Sequence, residues 1–113
     1  MPHRILCLSA EQIKPIAVGF GACYASNRIT VDGALVGYCY KEEPDGVTDS
    51  GWRFFAGDES QAYSDNPGNF AIYDINTIAN YDPSIAAVLE APEGSAFERD
   101  PDGRLVAVRA DEA

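Results

Sequence analysis

The stretch Gly51-Trp52-Arg53-Phe54-Phe55-Ala56-Gly57 constrains this chain more than any other. Three large aromatic rings within four residues, bracketed by glycines, are the composition of a β-strand. Successive side chains of a strand point to opposite faces, so Trp52 and Phe54 share one face while Arg53 and Phe55 share the other.

The flanking segments read as further strands and two short helices. Arg28-Ile29-Thr30-Val31 and Ala34-Leu35-Val36-Gly37-Tyr38 surround Asp32-Gly33, a dipeptide favoured in two-residue hairpins whose central residues need positive φ. In that register Cys39 lies opposite Ser26, and Val36, Tyr38 and Tyr40 share a face. Lys41-Glu42-Glu43-Pro44-Asp45-Gly46 then forms an acidic loop. Residues 58–69 are polar, contain Pro67-Gly68 and read as a long loop, and Phe70-Ala71-Ile72-Tyr73 as a short strand.

Asp74 is placed to cap a helix whose apolar stripe is Ile75, Ile78 and Ala79. Asp82 caps a second, with Pro83 at its first position, where the missing N–H costs nothing. Ile85, Val88 and Leu89 form its buried face, and Pro92 ends it. Residues 95–109 read as a hairpin around Pro101-Asp102-Gly103, a type I turn with glycine in the left-handed position. A two-residue turn shifted by one is the alternative; Phe97, Leu105, Val106 and Val108 supply the apolar side chains in both. At the start, Ser9-Ala10-Glu11-Gln12 resembles a capping box that Pro15 cuts short, giving one helical turn or an irregular lead-in.

Strands, two helices and strands again make an α+β fold: a single domain with a curved antiparallel sheet built from hairpins and two short helices on one face. The expected boundaries are an irregular lead-in over 1–20, the domain over 21–109 and a tail over 110–113. A chain of 113 residues has room for one core only.

Charge narrows the function. Eighteen acidic residues oppose eight basic ones, for a net charge of -10. Such a chain repels phosphate backbones and anionic membrane surfaces, so no nucleic-acid and no membrane partner is expected, and a basic protein partner is favoured. Ile5-Leu6-Cys7-Leu8 is too short for the apolar core of a signal peptide, and no segment approaches the roughly 20 apolar residues of a membrane span. The expected location is the cytoplasm. Three cysteines, at 7, 23 and 39, are an odd count with no zinc spacing, and read as reduced thiols.

Catalytic patterns are thin, and no catalytic residue, cofactor or metal site is expected. His3 is the only histidine, so neither a Ser-His nor a Cys-His pair has a base within the folded region. Gly19-Phe20-Gly21 lacks the third glycine of a dinucleotide fingerprint, and a strand follows it. Asp45-Gly46-Val47-Thr48-Asp49 lacks the alternating ligands of a calcium loop. What remains at Glu42, Glu43, Asp45 and Asp49 is adventitious cation binding. The unusual composition is a Trp and an Arg beside acidic loops, which suits a protein–protein hot spot centred on Asp49, Trp52 and Arg53. The competing reading makes Trp52 a core aromatic and Arg53 part of a rim ion pair.

Several of these runs carry a family resemblance. They are Ala22-Cys23-Tyr24-Ala25-Ser26-Asn27-Arg28-Ile29-Thr30-Val31-Asp32-Gly33, Asp49-Ser50-Gly51-Trp52-Arg53-Phe54-Phe55-Ala56-Gly57-Asp58-Glu59, Tyr73-Asp74-Ile75-Asn76-Thr77-Ile78-Ala79-Asn80-Tyr81-Asp82-Pro83 and Gly94-Ser95-Ala96-Phe97-Glu98-Arg99. Together they resemble the bacterial polymorphic-toxin immunity protein family numbered thirty-three, over about residues 21–108. The resemblance implies a cytoplasmic protein that binds and neutralises a cognate toxin delivered by sibling cells, and it brings no catalytic residues. Immunity proteins against nucleases are often acidic, because the toxin's active site is built to hold polyanions.

Three functions stay open at this point. A toxin-binding immunity module predicts no turnover and a neighbouring toxin gene. A general interaction or regulatory domain outside toxin systems predicts a solitary gene with no toxin nearby. A small enzyme or ligand-binding protein requires a deep pocket, for which Tyr73, Asn76, Asn80 and Tyr81 are the candidate lining. The partner-binding set is Glu42, Glu43, Asp45, Asp49, Trp52, Arg53, Asp58, Glu59, Tyr73, Asn76, Asn80 and Tyr81.

Overall fold

A computed structural model describes residues 8–109. His3, Cys7 and the tail over 110–113 lie outside the described residues, and so do the readings that fall on them.

The aromatic run forms β3 (Asp49–Phe55), with Trp52 and Phe54 stacked in the core at 5.9 Å between ring centroids. Around it lie β1 (Ala22–Ser26), β2 (Tyr38–Lys41), β4 (Phe70–Asp74), β5 (Ser95–Arg99) and β6 (Leu105–Arg109). They form one open six-stranded sheet in the order β4-β1-β3-β2-β5-β6. The fold is α+β, but the sheet is mixed. β1 and β3 run parallel, while β1/β4, β2/β3, β2/β5 and β5/β6 are antiparallel.

The parallel pair exists because the expected hairpin at Asp32-Gly33 does not form. After β1 the Ser26 hydroxyl accepts a hydrogen bond from the Arg28 N–H and caps a one-turn helix, α1 (Asn27–Thr30), which places Ile29 in the core. The cap and the buried Ile29 override the β-propensity of Ile29-Thr30-Val31. Gly33 does adopt positive φ, +80°, but it serves to end this helix: its N–H donates to the Ile29 carbonyl at 3.1 Å. Replacing it by alanine strains the left-handed backbone. Gly33→Ala is expected to cost about 1 kcal/mol and to lower the melting temperature by roughly 4–8 °C, read by thermal denaturation.

Because the chain turns through α1, β2 pairs with β3 and β5 rather than with β1. Cys39 therefore faces Phe54 and Phe97, not Ser26. Val36 precedes the strand and is buried in the core, with its N–H on the Asp82 carboxylate at 3.0 Å, whereas Tyr38 and Tyr40 lie on the other face. The alternation breaks at Gly37, which abuts the Ala56 carbonyl so closely that a Cβ there would overlap the oxygen.

Residues 58–69 are not one loop. The Ser60 hydroxyl caps α2 (Gln61–Ser64), and the Asn66 side chain caps a 3₁₀ turn over Pro67–Asn69. The Asp74 carboxylate caps α3 (Ile75–Tyr81), whose Ile75, Ile78 and Ala79 are fully buried. Asp82 and Pro83 open the next segment as read, but it is a 3₁₀ helix, Pro83–Ala87. It carries Ile85 into the core, followed by Val88 and Leu89. These elements pack on the Trp52–Phe54 face, where the indole N–H donates to the Leu89 carbonyl at 3.2 Å.

The closing hairpin uses the type I turn: the Gly103 N–H donates to the Asp100 carbonyl at 2.9 Å, Gly103 has φ +86°, and Arg99 pairs with Leu105. In the lead-in, Ala10–Gln12 makes a single 3₁₀ turn, with the Gln12 side chain accepting from the Ser9 N–H. No helix among the described residues is long and apolar enough to cross a membrane.

Candidate functional site

Strand register decides what each face of the sheet carries. Across one face Ala25, Phe54, Cys39 and Phe97 lie side by side, under the helices. Across the other runs a row of Ile72, Tyr24, Arg53 and Tyr40, and beside it a row of Phe55, Tyr38, Glu98 and Val106. Among the described residues no helix layer covers this second face. Only its corner is covered, where Tyr63 of α2 meets Phe70 edge-on at 6.1 Å.

A solvated sheet face normally carries polar side chains. Here it is paved with rings. Tyr40 stacks on Phe55 at 5.9 Å and 11°, and Tyr38 lies 5.9 Å from Tyr40 and 6.1 Å from Phe55. Phe70 meets Phe55 edge-on at 5.7 Å. Ile72 is 63% exposed, and Tyr24 and Val106 are each 39% exposed. Contiguous exposed apolar surface with a polar rim marks an interaction site.

Arg53 is set into the middle of this face and is almost wholly buried. Its Nη1 and Nη2 reach the Asp49 carboxylate at 2.9 and 2.8 Å, its Nε reaches Glu42 at 2.6 Å, and its guanidinium lies over the Tyr24 ring at 4.7 Å. The local backbone makes this possible. Gly51 has φ +90° and the β1/β3 register shifts between Ala22 and Tyr24, so the irregular strand brings Asp49 back to Arg53, four residues on. The bidentate contact holds the Asp49 carboxyl far below the usual carboxylate range and raises the Arg53 guanidinium. Burial pushes the Tyr38 and Tyr40 phenols up, so both stay neutral at physiological pH.

Two hollows divide the face. The larger, about 790 Å³, lies over Tyr38, Tyr40 and Phe55 between Leu35, Asp58, Glu59 and Glu98. The second, about 520 Å³, lies over Tyr24, Arg53 and Phe70.

The residues expected to bind a partner separate into three groups. Glu42, Glu43, Asp45 and Asp49 lie in or beside the loop at one edge of the aromatic face; Glu43 and Asp45 are exposed, and Asp45 and Asp49 line a small cleft with Tyr24 and Ile72. Asp58 and Glu59 line the larger hollow, Asp58 paired with Arg28 at 2.7 Å and Glu59 accepting the Ala56 and Gly57 N–H groups. Trp52 and Arg53 are corrections: both are buried, so neither is the exposed hot spot that the composition suggests, and Arg53 is not a rim residue.

Tyr73, Asn76, Asn80 and Tyr81 do not line a common pocket. Tyr73 shares a hydrogen bond with Thr30 at 3.0 Å. The Asn76 side-chain oxygen Oδ1 accepts from the Ile16 and Ala17 N–H groups, both asparagine side-chain amides donate to the Lys14 carbonyl, and the Tyr81 hydroxyl accepts from the Leu8 N–H. These side chains clamp the lead-in to α3. Tyr24, Tyr38, Tyr40, Phe70 and Glu98 are the members of the face that the sequence reading did not single out. Their signal was the period-two spacing of Tyr38 and Tyr40, which places Val36 with them only if the strand continues through Gly37.

Residues 23–109 match the family described as the immunity protein Imm33 domain. The chain belongs to the Imm33 immunity protein family. No curated protein and no solved structure matches it significantly. The Imm33 match takes in every strand residue of the aromatic face and both asparagines of the clamp, whereas the backbone they hold, residues 14–17, precedes it. Among the described residues no group of three or more His, Cys, Asp or Glu side chains is placed to hold a metal ion. Cys23 and Cys39 are free and buried, and burial pushes each thiol up to about 12, which removes thiolate character.

Proposed function

We propose that this Imm33-family chain is an immunity protein that neutralises a cognate toxin in the cytoplasm by docking it, one to one and without turnover, on the uncovered aromatic face of the sheet. The observation that carries the reading is that face: two rows of Tyr, Phe, Ile and Val side chains, with Arg53 and Glu98 set among them, over which no helix layer packs among the described residues. Tyrosines are favoured anchors because they bury large rigid area at low entropic cost and keep a hydroxyl for the partner. The net charge of -10 adds attraction for a basic toxin and discourages pairing between copies of the chain. Membership of an immunity family and the clamping role of Asn76 and Asn80 both favour binding over catalysis.

Electrostatic guidance has a kinetic signature. Exposed rim charges act mainly on association and are screened beyond roughly 8 Å at physiological ionic strength. Glu42 is unsuitable as a probe because it also holds Arg53, but Glu43 and Asp45 are exposed. The double variant Glu43→Gln, Asp45→Asn is expected to lower k_on more than it raises k_off, at a total cost of roughly 0–1 kcal/mol per charge. The measurement is surface binding kinetics against the product of a neighbouring toxin gene at low and high salt. Salt-independent association would remove the guidance, and turnover of the toxin or its product by this chain would remove the non-catalytic reading.

A further inference from the structure

We infer that the hollow over Tyr38, Tyr40 and Phe55 receives one cationic side chain, an arginine or a lysine, of the docked partner. The inference rests on the docking reading above and names the chemistry of its anchor point.

The floor is a cluster of three aromatic rings that all line the hollow. Tyr40 and Phe55 stack at 5.9 Å, and Tyr38 is tilted against both at 5.9 and 6.1 Å. A cation within about 6 Å of such rings is attracted by their quadrupoles, most strongly when water is displaced. The walls carry charge of one sign once internal pairs are removed. Asp58 is paired with Arg28, which it shares with Asp32. Arg99, the one basic residue of the lining, is neutralised by the buried Asp82 and donates to the Val36 carbonyl at 2.8 Å. That leaves Glu59 and Glu98. The Glu59 carboxylate is fixed by two backbone N–H groups, at 2.8 and 2.9 Å, with no cation on it among the described residues. Glu98 stands opposite Tyr38 across the β2/β5 ladder and is exposed, and its carboxylate makes no hydrogen bond or ion pair among the described residues.

Two uncompensated carboxylates above an aromatic floor disfavour an anionic group and give no advantage to a neutral one. A second copy of this chain is disfavoured by its own net charge of -10. At about 790 Å³ the hollow has room for a side chain together with the backbone that carries it.

The test uses the whole chain and three small probes: acetyl-arginine amide, its neutral isostere acetyl-citrulline amide and acetyl-glutamate amide. Ring resonances are followed by NMR. The arginine probe is expected to shift the Tyr38, Tyr40 and Phe55 ring signals in a saturable, salt-sensitive manner, and the other two to leave them in place. Glu98→Gln, at an exposed position, is expected to weaken the arginine probe about two- to fivefold with an unchanged circular dichroism spectrum. Equal shifts from arginine and citrulline, or arginine shifts confined to other acidic surfaces, would overturn the inference. Toxin binding without any ring response to arginine removes this anchor and leaves the docking reading. A ring response to arginine without toxin binding removes the docking reading and leaves the cation site.

Discussion

Trp52→Ala is expected to bring the domain to the edge of unfolding. The indole is fully buried, stacks on Phe54 at 5.9 Å, meets Phe97 at 6.2 Å and donates its N–H to the Leu89 carbonyl. Truncating a buried tryptophan costs about 3–5 kcal/mol through lost transfer energy and the cavity left behind. Small domains hold only about 5–15 kcal/mol in total. The loss also frees the segment after the Pro83–Ala87 turn, because the indole tethers it through Leu89. Urea denaturation followed by circular dichroism reads the effect. Trp52→Phe, which keeps a ring but loses the hydrogen bond, is expected to fall between wild type and alanine. A wild-type midpoint for the alanine variant would mean that Trp52 does not lie in this core.

Arg53→Met is the second large loss. The arginine and Asp49 side chains are 6% and 14% exposed, so removing the cation leaves a nearly buried carboxylate without its partner. Breaking such a pair from one side costs about 3–5 kcal/mol. The pH dependence has a definite sign. Arg53 hydrogen bonding depresses the folded-state pKa of Asp49. A depressed carboxylate contributes stability above its unfolded pKa of about 3.9, and that contribution is lost as pH falls. The stability gap between wild type and Arg53→Met should therefore be full at neutral pH and shrink below about pH 4. Denaturation midpoints of both proteins across that range measure it. A gap that widens on acidification would contradict the assignment.

The sequence announced local features better than it announced pairing. Asp74, Asp82 and Pro83 mark their helix starts by side-chain chemistry that acts within a few residues, and they appear where read. The Gly103 turn follows from the same local chemistry. Asp32-Gly33 misled because its positive φ is a local requirement shared by hairpins and helix ends. What decides between them is Ser26 capping α1 and Ile29 reaching the core. With that turn helical, β1 lies parallel to β3 instead of antiparallel to β2, and no short-range signal reports it. The site was legible in part. The carboxylates at the edge of the face follow from the acidic loop that Pro44 and Gly46 mark, and Arg53 on a face opposite Trp52 follows from strand alternation. Burial of Arg53 under Tyr24 and Tyr40 depends on strands distant in sequence. Asn76 and Asn80 looked like pocket residues because nothing in their own helix shows that the lead-in returns to meet them.

The most direct measurement pairs toxin affinity with protection of toxin-expressing cells for Tyr38→Ala, Tyr40→Ala, compared with Val18→Ser on the exposed lead-in. Thermal melting of each variant separates loss of contact from loss of fold, with the single Tyr38→Ala and Tyr40→Ala variants as milder probes. If the aromatic face is the docking site, the folded double variant loses at least about 30-fold in affinity, the effect of a hot spot of roughly 2 kcal/mol, and no longer protects, while Val18→Ser behaves as wild type. Wild-type affinity and protection in the folded tyrosine variants, with loss in Val18→Ser, would contradict the account and move the interface to the lead-in.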